Sequence, residues 1–193
     1  MDFIKNYIKN SIDTKRNILE NEKILSKIRD VSLVIVDSLK KGGKVLICGN
    51  GGSAADSQHI AAEFVSRFYF DRPGLPAMAL TVDTSILTAI GNDYGYEKTF
   101  SRQVQACANK GDVLIGISTS GSSKNVVNAI LEAKNKGVYT VGLTGEKKAL
   151  IFDNADVTIN IPSAETPIIQ ESRIMVGHII CALVEKMMFS GEN

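Results

Sequence analysis

The sequence predicts an α/β fold: a doubly wound, mostly parallel sheet of five strands flanked by helices. Three observations carry that expectation. "KVLIC" (44–48) and "DVLIGIS" (112–118) are short apolar runs, the pattern of strands buried on both faces. Helical segments fall between the strand candidates, and such alternation calls for right-handed crossovers in a parallel sheet. The two runs also echo each other, since "KGGKVLICGNGGSAAD" and "NKGDVLIGISTSGSSKN" share the order Lys-Gly, apolar strand, small polar loop, helix. Two such loops at strand carboxyl ends lie where open α/β sheets bind ligands.

Taken in order, Phe3, Ile4, Tyr7, Ile8 and Ile12 recur at three-to-four spacing, as do Ile24, Ile28, Val31 and Ile35. Two amphipathic helices therefore precede the sheet, the second ending near Gly42-Gly43. "PAMAL" (76–80), "VYTVGL" (138–143) and "DVTINI" (156–161) complete the strands, and helices are expected at roughly 53–69, 97–109, 123–136 and 167–189. With 193 residues, 44% of them apolar and 22% charged, and no linker or proline cluster, the chain reads as one domain (1–193). Residues 1–41 form its N-terminal helices and 42–193 its α/β core.

The formal charge of +1 arises from 22 basic and 21 acidic side chains spread along the chain. That balance leaves no footprint for nucleic acid or an anionic membrane and points to small molecules or protein chains as partners. Cys48, Cys107 and Cys181 are odd in number and form no C-x-x-C pair, which fits a reducing compartment. No leader is recognisable at "MDFIKNYIKNSIDTKRN", and no uninterrupted apolar run reaches the roughly 18 residues a membrane span requires. The cytoplasm is the expected location.

The first loop, "CGNGGSAADSQHIAAEF" (48–64), meets the G-x-G-x-x-A dinucleotide pattern at Gly49, Gly51 and Ala54, but the acidic residue that should close the next strand is missing. Asp71 precedes that strand instead. A nucleotide-hydrolysing loop fails more plainly, with no lysine after the glycines. The second loop, "STSGSS" (118–123), sets five hydroxyls at a helix start. Backbone N–H groups, the positive dipole end and short hydroxyl donors together suit a phosphate monoester. A serine N-cap and a turn would account for one or two of those hydroxyls, not five.

Only two histidines occur. His59 and Glu63 stand at i and i+4 on one helix face, where they can chelate a divalent ion, set a carboxylate beside an imidazole, or form a mere surface hydrogen bond. Gln170, Glu171 and His178 are polar in an otherwise apolar final helix. Gln170 and His178 lie about 80° apart round that helix and roughly 12 Å along it, so they share a small site only if both lean toward its middle.

"CGNGGSAADSQHIAAEF", "AIGNDYGYEKTFSRQV", "GDVLIGISTSGSS" and "TPIIQESRIMVGH" resemble the sugar isomerase (SIS) domain and, within it, the bacterial phosphoheptose isomerases. The likeness runs over almost the whole chain. It implies isomerisation of D-sedoheptulose 7-phosphate to D-glycero-D-manno-heptose 7-phosphate through an enediol, for heptose synthesis in lipopolysaccharide or capsule. It also implies a cytoplasmic homotetramer with sites between subunits, the N-terminal helices serving oligomer packing, and one Zn2+ per subunit.

Carried over by position, the zinc ligands are His59, Glu63, Gln170 and His178. The sugar-phosphate contacts are Asn50, Gly51, Gly52, Ser53, Glu63, Asn92, Asp93, Ser118, Thr119, Ser120, Ser123 and Gln170, with the phosphate on 118–123. Glu63 and His178 are the catalytic pair, working from opposite sides of the substrate. One departure is Ile168, where relatives often carry arginine. Two other readings stand beside this one: a non-catalytic SIS module that senses a sugar phosphate or binds a protein, and an isomerase of a shorter phosphosugar.

Overall fold

A computed structural model of the chain describes residues 1–189. Helices α1 (Asp2–Leu19) and α2 (Glu22–Lys40) lead into β1 (Val45–Gly49), α3 (Gly52–Val65), β2 (Ala77–Ala79), α4 (Thr84–Tyr94) and a 3-10 turn (Tyr96–Lys98). There follow α5 (Thr99–Cys107), β3 (Val113–Ile117), α6 (Lys124–Asn135), β4 (Tyr139–Thr144), α7 (Leu150–Asn154), β5 (Val157–Asn160) and α8 (Thr166–Phe189).

The five strands run in the order β2-β1-β3-β4-β5, and every pairing is parallel. In the central pair Val45 stands opposite Val113 and Cys48 opposite Gly116. Strand alternation divides the apolar residues between two layers. Val45, Ile47, Val113, Ile115, Val141 and Leu143 join α2, α3 and α8 in one core. Leu46, Cys48 and Leu114 turn the other way, against α5, α6 and Ile151 of α7. Because α3 covers one layer and α5 the other, the chain leaves β1 on one face and returns to β3 on the opposite face. The reversal of strand order between β1 and β3 opens a crevice at their carboxyl ends.

Helix α2 starts at Asn21, whose side-chain oxygen accepts from the N–H groups of Lys23 and Ile24. It buries Ile24, Ile28, Val31 and Ile35 in the first core. Helix α1 buries only Thr14 and Ile18, and leaves Phe3, Ile4, Ile8 and Ile12 at 80, 56, 53 and 50% exposure. The two N-terminal helices thus differ: α2 belongs to its own chain's core, and an open apolar stripe remains on α1 alone.

Helix α8 corrects one expectation. Over its 24 residues it is long and apolar enough to cross a membrane, with a mean hydropathy of 1.3 in its best window. No uninterrupted apolar run of that length exists in it, because Glu171, Arg173, Glu185 and Lys186 punctuate the helix, Arg173 and Glu185 from within its buried face. Both are fully buried and ion-paired inside the protein, and the helix packs on α2 and α3 as a core helix.

Two elements were not expected. Helix α4 has no fully buried residue and meets the second core only through the partly buried Leu87, and Asp83 caps it by accepting from the Ile86 N–H. Helix α7 has five residues, too few for a periodicity to register.

Candidate active site

The β1 and β3 loops meet at the crevice. Gly51, with a φ of +56° that suits glycine, turns the chain into α3, and Gly121, at +68°, bends the serine loop back toward α6. The loops are tied by reciprocal amide bonds: Asn50 Nδ2 donates to Asn125 Oδ1 at 2.9 Å, and Asn125 Nδ2 donates to Asn50 Oδ1 at 2.8 Å. Tyr96 Oη also donates to Asn50 Oδ1, at 3.0 Å.

A cavity of about 390 Å³ opens there. Asn50 and Ser53 line it from the first loop, Ser118, Thr119, Ser120 and Ser123 from the second, and Gln170 from α8. Ser123 is the N-cap residue of α6, yet its hydroxyl makes no cap bond; it meets the Ser118 hydroxyl at 2.9 Å. The plain N-cap reading therefore fails for Ser123, whose oxygen stays at the cavity wall beside a helix start. Gly52 lies so close to Gln170 that a Cβ there would stand 2.9 Å from Nε2.

His59, Glu63 and His178 form a second cluster. Each offers one ligand atom, and the three atoms lie within 4.8 Å of one another. His59 Nε2 is 3.0 Å from Glu63 Oε1 and 3.3 Å from His178 Nε2. His59 Nε2 thus faces both a carboxylate oxygen and a second ring nitrogen. Ligands about 2.0–2.1 Å from a tetrahedral ion stand roughly 3.3 Å apart, and two imidazoles with a carboxylate are a donor set such an ion accepts. The residues fit a divalent cation.

Glu63 and His178 were expected on opposite sides of a substrate. Within one chain they reach the same point. Gln170 opens into the hydroxyl-lined cavity, two helical turns from His178. Asn92 and Asp93 are exposed at the end of α4, where Asn92 Nδ2 donates to Asp93 Oδ1, and they do not line this cavity. Ile168 is fully buried, so its position offers no contact to a ligand.

Several contributors were not foreseen. Lys147 and Thr166 line the cavity. Arg173, fully buried, donates to Asp56 Oδ2 at 2.6 and 3.2 Å and to Thr119 Oγ1 at 3.2 Å, tying α8 to α3 and the serine loop. Burial holds its guanidinium below the ordinary arginine value, against the pull of Asp56. An arginine in an apolar helix was the available signal. Asn125 and Tyr96 carried none, because ordinary polar residues reveal a partner only after folding.

A model of the SIS domain matches residues 6–145. The chain belongs to the SIS domain family. Within that family it is 57% identical over 188 residues to the phosphoheptose isomerase of Aneurinibacillus thermoaerophilus, covering 97% of this chain and 95% of the relative. It is 54% identical to phosphoheptose isomerase 2 of Campylobacter jejuni, covering 97% and 93%. Among solved structures, phosphoheptose isomerase GmhA from Neisseria gonorrhoeae superposes with a TM-score of 0.90 at 39% identity, covering 96% of this chain and 98% of that one. The SIS chain described here thus matches these isomerases over nearly their full length.

Proposed function

We propose that this SIS protein isomerises a seven-carbon ketose phosphate, D-sedoheptulose 7-phosphate, to D-glycero-D-manno-heptose 7-phosphate, supplying heptose for lipopolysaccharide or capsule. The observation that carries the reading is the pairing of two sites: a hydroxyl-lined phosphate cavity, and a His59/Glu63/His178 cluster further along α8. Gln170 and His178 are separated by about 12 Å of helix rise, a spacing that suits a long open-chain sugar held by its phosphate at one end. Whole-length likeness to phosphoheptose isomerases supports the same substrate.

The reaction moves one proton between neighbouring carbons and one between their oxygens. Glu63 removes a proton from C1 and returns it at C2, while His178 carries a proton from the C1 hydroxyl to the C2 oxygen. Since both groups converge on one point, the transfer proceeds on one face of the enediol. A zinc ion held by His59, Glu63 and His178, with Gln170 turning toward them, would supply Lewis-acid stabilisation of the enediolate oxygens. Ligation and proton transfer use the same lone pairs, so Glu63 and His178 serve each in turn.

Asn50, Gly51, Gly52 and Ser53 approach the sugar. Ser118, Thr119, Ser120 and Ser123 hold the phosphate, and Asn92 and Asp93 join from a neighbouring subunit. The exposed α1 stripe supports a homotetramer in which residues 1–193 act as one unit. A phosphorylated substrate supports a cytoplasmic location.

The deciding experiment offers sedoheptulose 7-phosphate, fructose 6-phosphate and arabinose 5-phosphate, with and without chelator. Turnover of the heptulose alone, lost on chelation, is expected. Turnover of none would leave a binding module, and turnover of only a shorter sugar would remove the heptose assignment.

A further inference from the structure

The segment after α3 is held by a buried ion pair that the reaction itself does not require. Arg72 and Glu185 have side chains 2% and 1% exposed, with Arg72 Nε donating to Glu185 Oε1 at 3.0 Å. The rest of the guanidinium turns to the end of α3. One terminal nitrogen donates to the Glu63 carbonyl at 2.8 Å, and the other to the carbonyls of Phe64 at 2.7 Å and Ser66 at 3.0 Å. These are orphan acceptors of a helix C-terminus, and a cation there also meets the negative end of the dipole. Glu185 accepts the N–H groups of Phe68 at 2.8 Å and Tyr69 at 2.7 Å. The Phe68 ring in turn lies 5.6 Å, centroid to centroid, from the His178 imidazole.

Glu185 follows His178 by seven residues, so the two sit on the same side of α8. Arg72 grips the backbone of Glu63 itself. The ion pair therefore joins the last turn of the helix carrying Glu63 to the helix carrying His178. A buried ion pair is seldom more stabilising than apolar residues of equal volume, whereas its fixed fork geometry sets positions that apolar contacts leave loose.

We propose that Arg72 and Glu185 are positioning residues that hold Glu63 and His178 at the separation at which they bind a divalent cation. The inference rests on the cluster being a metal site. Groups behind metal ligands typically change metal affinity ten- to a hundredfold when altered. Glu185→Gln keeps the volume but turns an amide N–H2 toward donors that need an acceptor, and Glu185→Asp keeps the charge.

Zinc affinity is read by competition with a chromophoric chelator on the purified protein, beside kcat and KM for sedoheptulose 7-phosphate. Glu185→Gln is expected to weaken zinc by about tenfold or more and to lower kcat, with KM within about twofold, and Glu185→Asp to recover part of the affinity. Glu171→Gln, on the same helix but paired with Lys15, should leave zinc affinity unchanged. Arg72→Lys, which retains charge without the fork, is read in the same way and replaces Glu185→Gln should that variant not fold. Wild-type affinity in Glu185→Gln or Arg72→Lys overturns the proposal, whatever happens to the melting temperature. A wild-type protein that binds no zinc removes the metal-site reading, and this inference with it.

Discussion

His59 and His178, 119 residues apart in sequence, bring their Nε2 atoms to 3.3 Å, with ring centroids 4.8 Å apart and planes at 71°. They are the chain's only histidines, and the fold delivers both, with Glu63, to one point. Glu63→Gln and His178→Gln are each expected to lower kcat by about a hundredfold or more while the far-ultraviolet circular dichroism stays unchanged. Near-normal turnover in either variant would exclude that residue from the proton path. Single-face transfer adds a finer mark: part of a deuterium label on C1 should reappear on C2 of the product, as followed by NMR.

The serine loop should control binding more than turnover. Ser123 meets Ser118 at the cavity wall instead of capping α6, while Ser122 is exposed and does not line the cavity. Ser123→Ala is expected to raise KM about tenfold, the equivalent of one charged hydrogen bond, with kcat little altered. Ser122→Ala should change neither. Steady-state kinetics on the two variants, with equal KM as the contrary outcome, make the comparison.

Acid should loosen the molecule at two ion-paired carboxylates, the buried Glu185 and the part-exposed Glu171. Burial on its own raises the Glu185 carboxyl, but the N–H groups of Phe68 and Tyr69 and the Arg72 guanidinium outweigh it and hold the group below the ordinary glutamate value of 4.5. At Glu171, Lys15 and Ser11 likewise outweigh burial. A carboxyl whose folded value is depressed adds stability above its unfolded value, and that stability disappears as pH falls through the folded value. Urea midpoints should therefore drop steeply below about pH 4.5, and less steeply in Glu185→Gln. A midpoint that is flat from pH 6 to 3 would contradict this.

The thiols should separate by position. Burial pushes Cys48 up to about 12, and Cys181 likewise to about 12, with the Glu63 charge adding to burial there. Cys107, at the end of α5, is only half-buried. Iodoacetamide at pH 8 should label Cys107 alone in the native protein and all three cysteines in denaturant, as counted by mass spectrometry.

Most of the sheet was legible because apolar runs such as 44–48 and 112–118 admit no other placement in a chain of alternating strands and helices. The serine loop stood out for a similar reason, five hydroxyls exceeding what a cap requires, and four of those residues do line the cavity. What could not be read was anything set by packing between distant segments. Helix spacing left Gln170 and His178 undecided, and tertiary folding sent Gln170 to the cavity and His178 to the histidine cluster. Helix α4 escaped notice because its contact with the core is slight, with Leu87 only partly buried against it. Arg72 stands in the sequence as an ordinary charge, and even Arg173 and Glu185, conspicuous in an apolar helix, name no partner until burial turns them into braces.

The mutual amide bonds of Asn50 and Asn125 have an evolutionary corollary. Each side chain offers both a donor and an acceptor to the other across 75 residues of sequence, yet losing Asn125 strands Asn50 Nδ2, whereas losing Asn50 leaves Asn125 with Thr99 and the Val126 N–H. Substitution at Asn125 should therefore be tolerated less readily than at Asn50. The glycine loop and the serine loop, similar in form, are held as a single joined part by that pair.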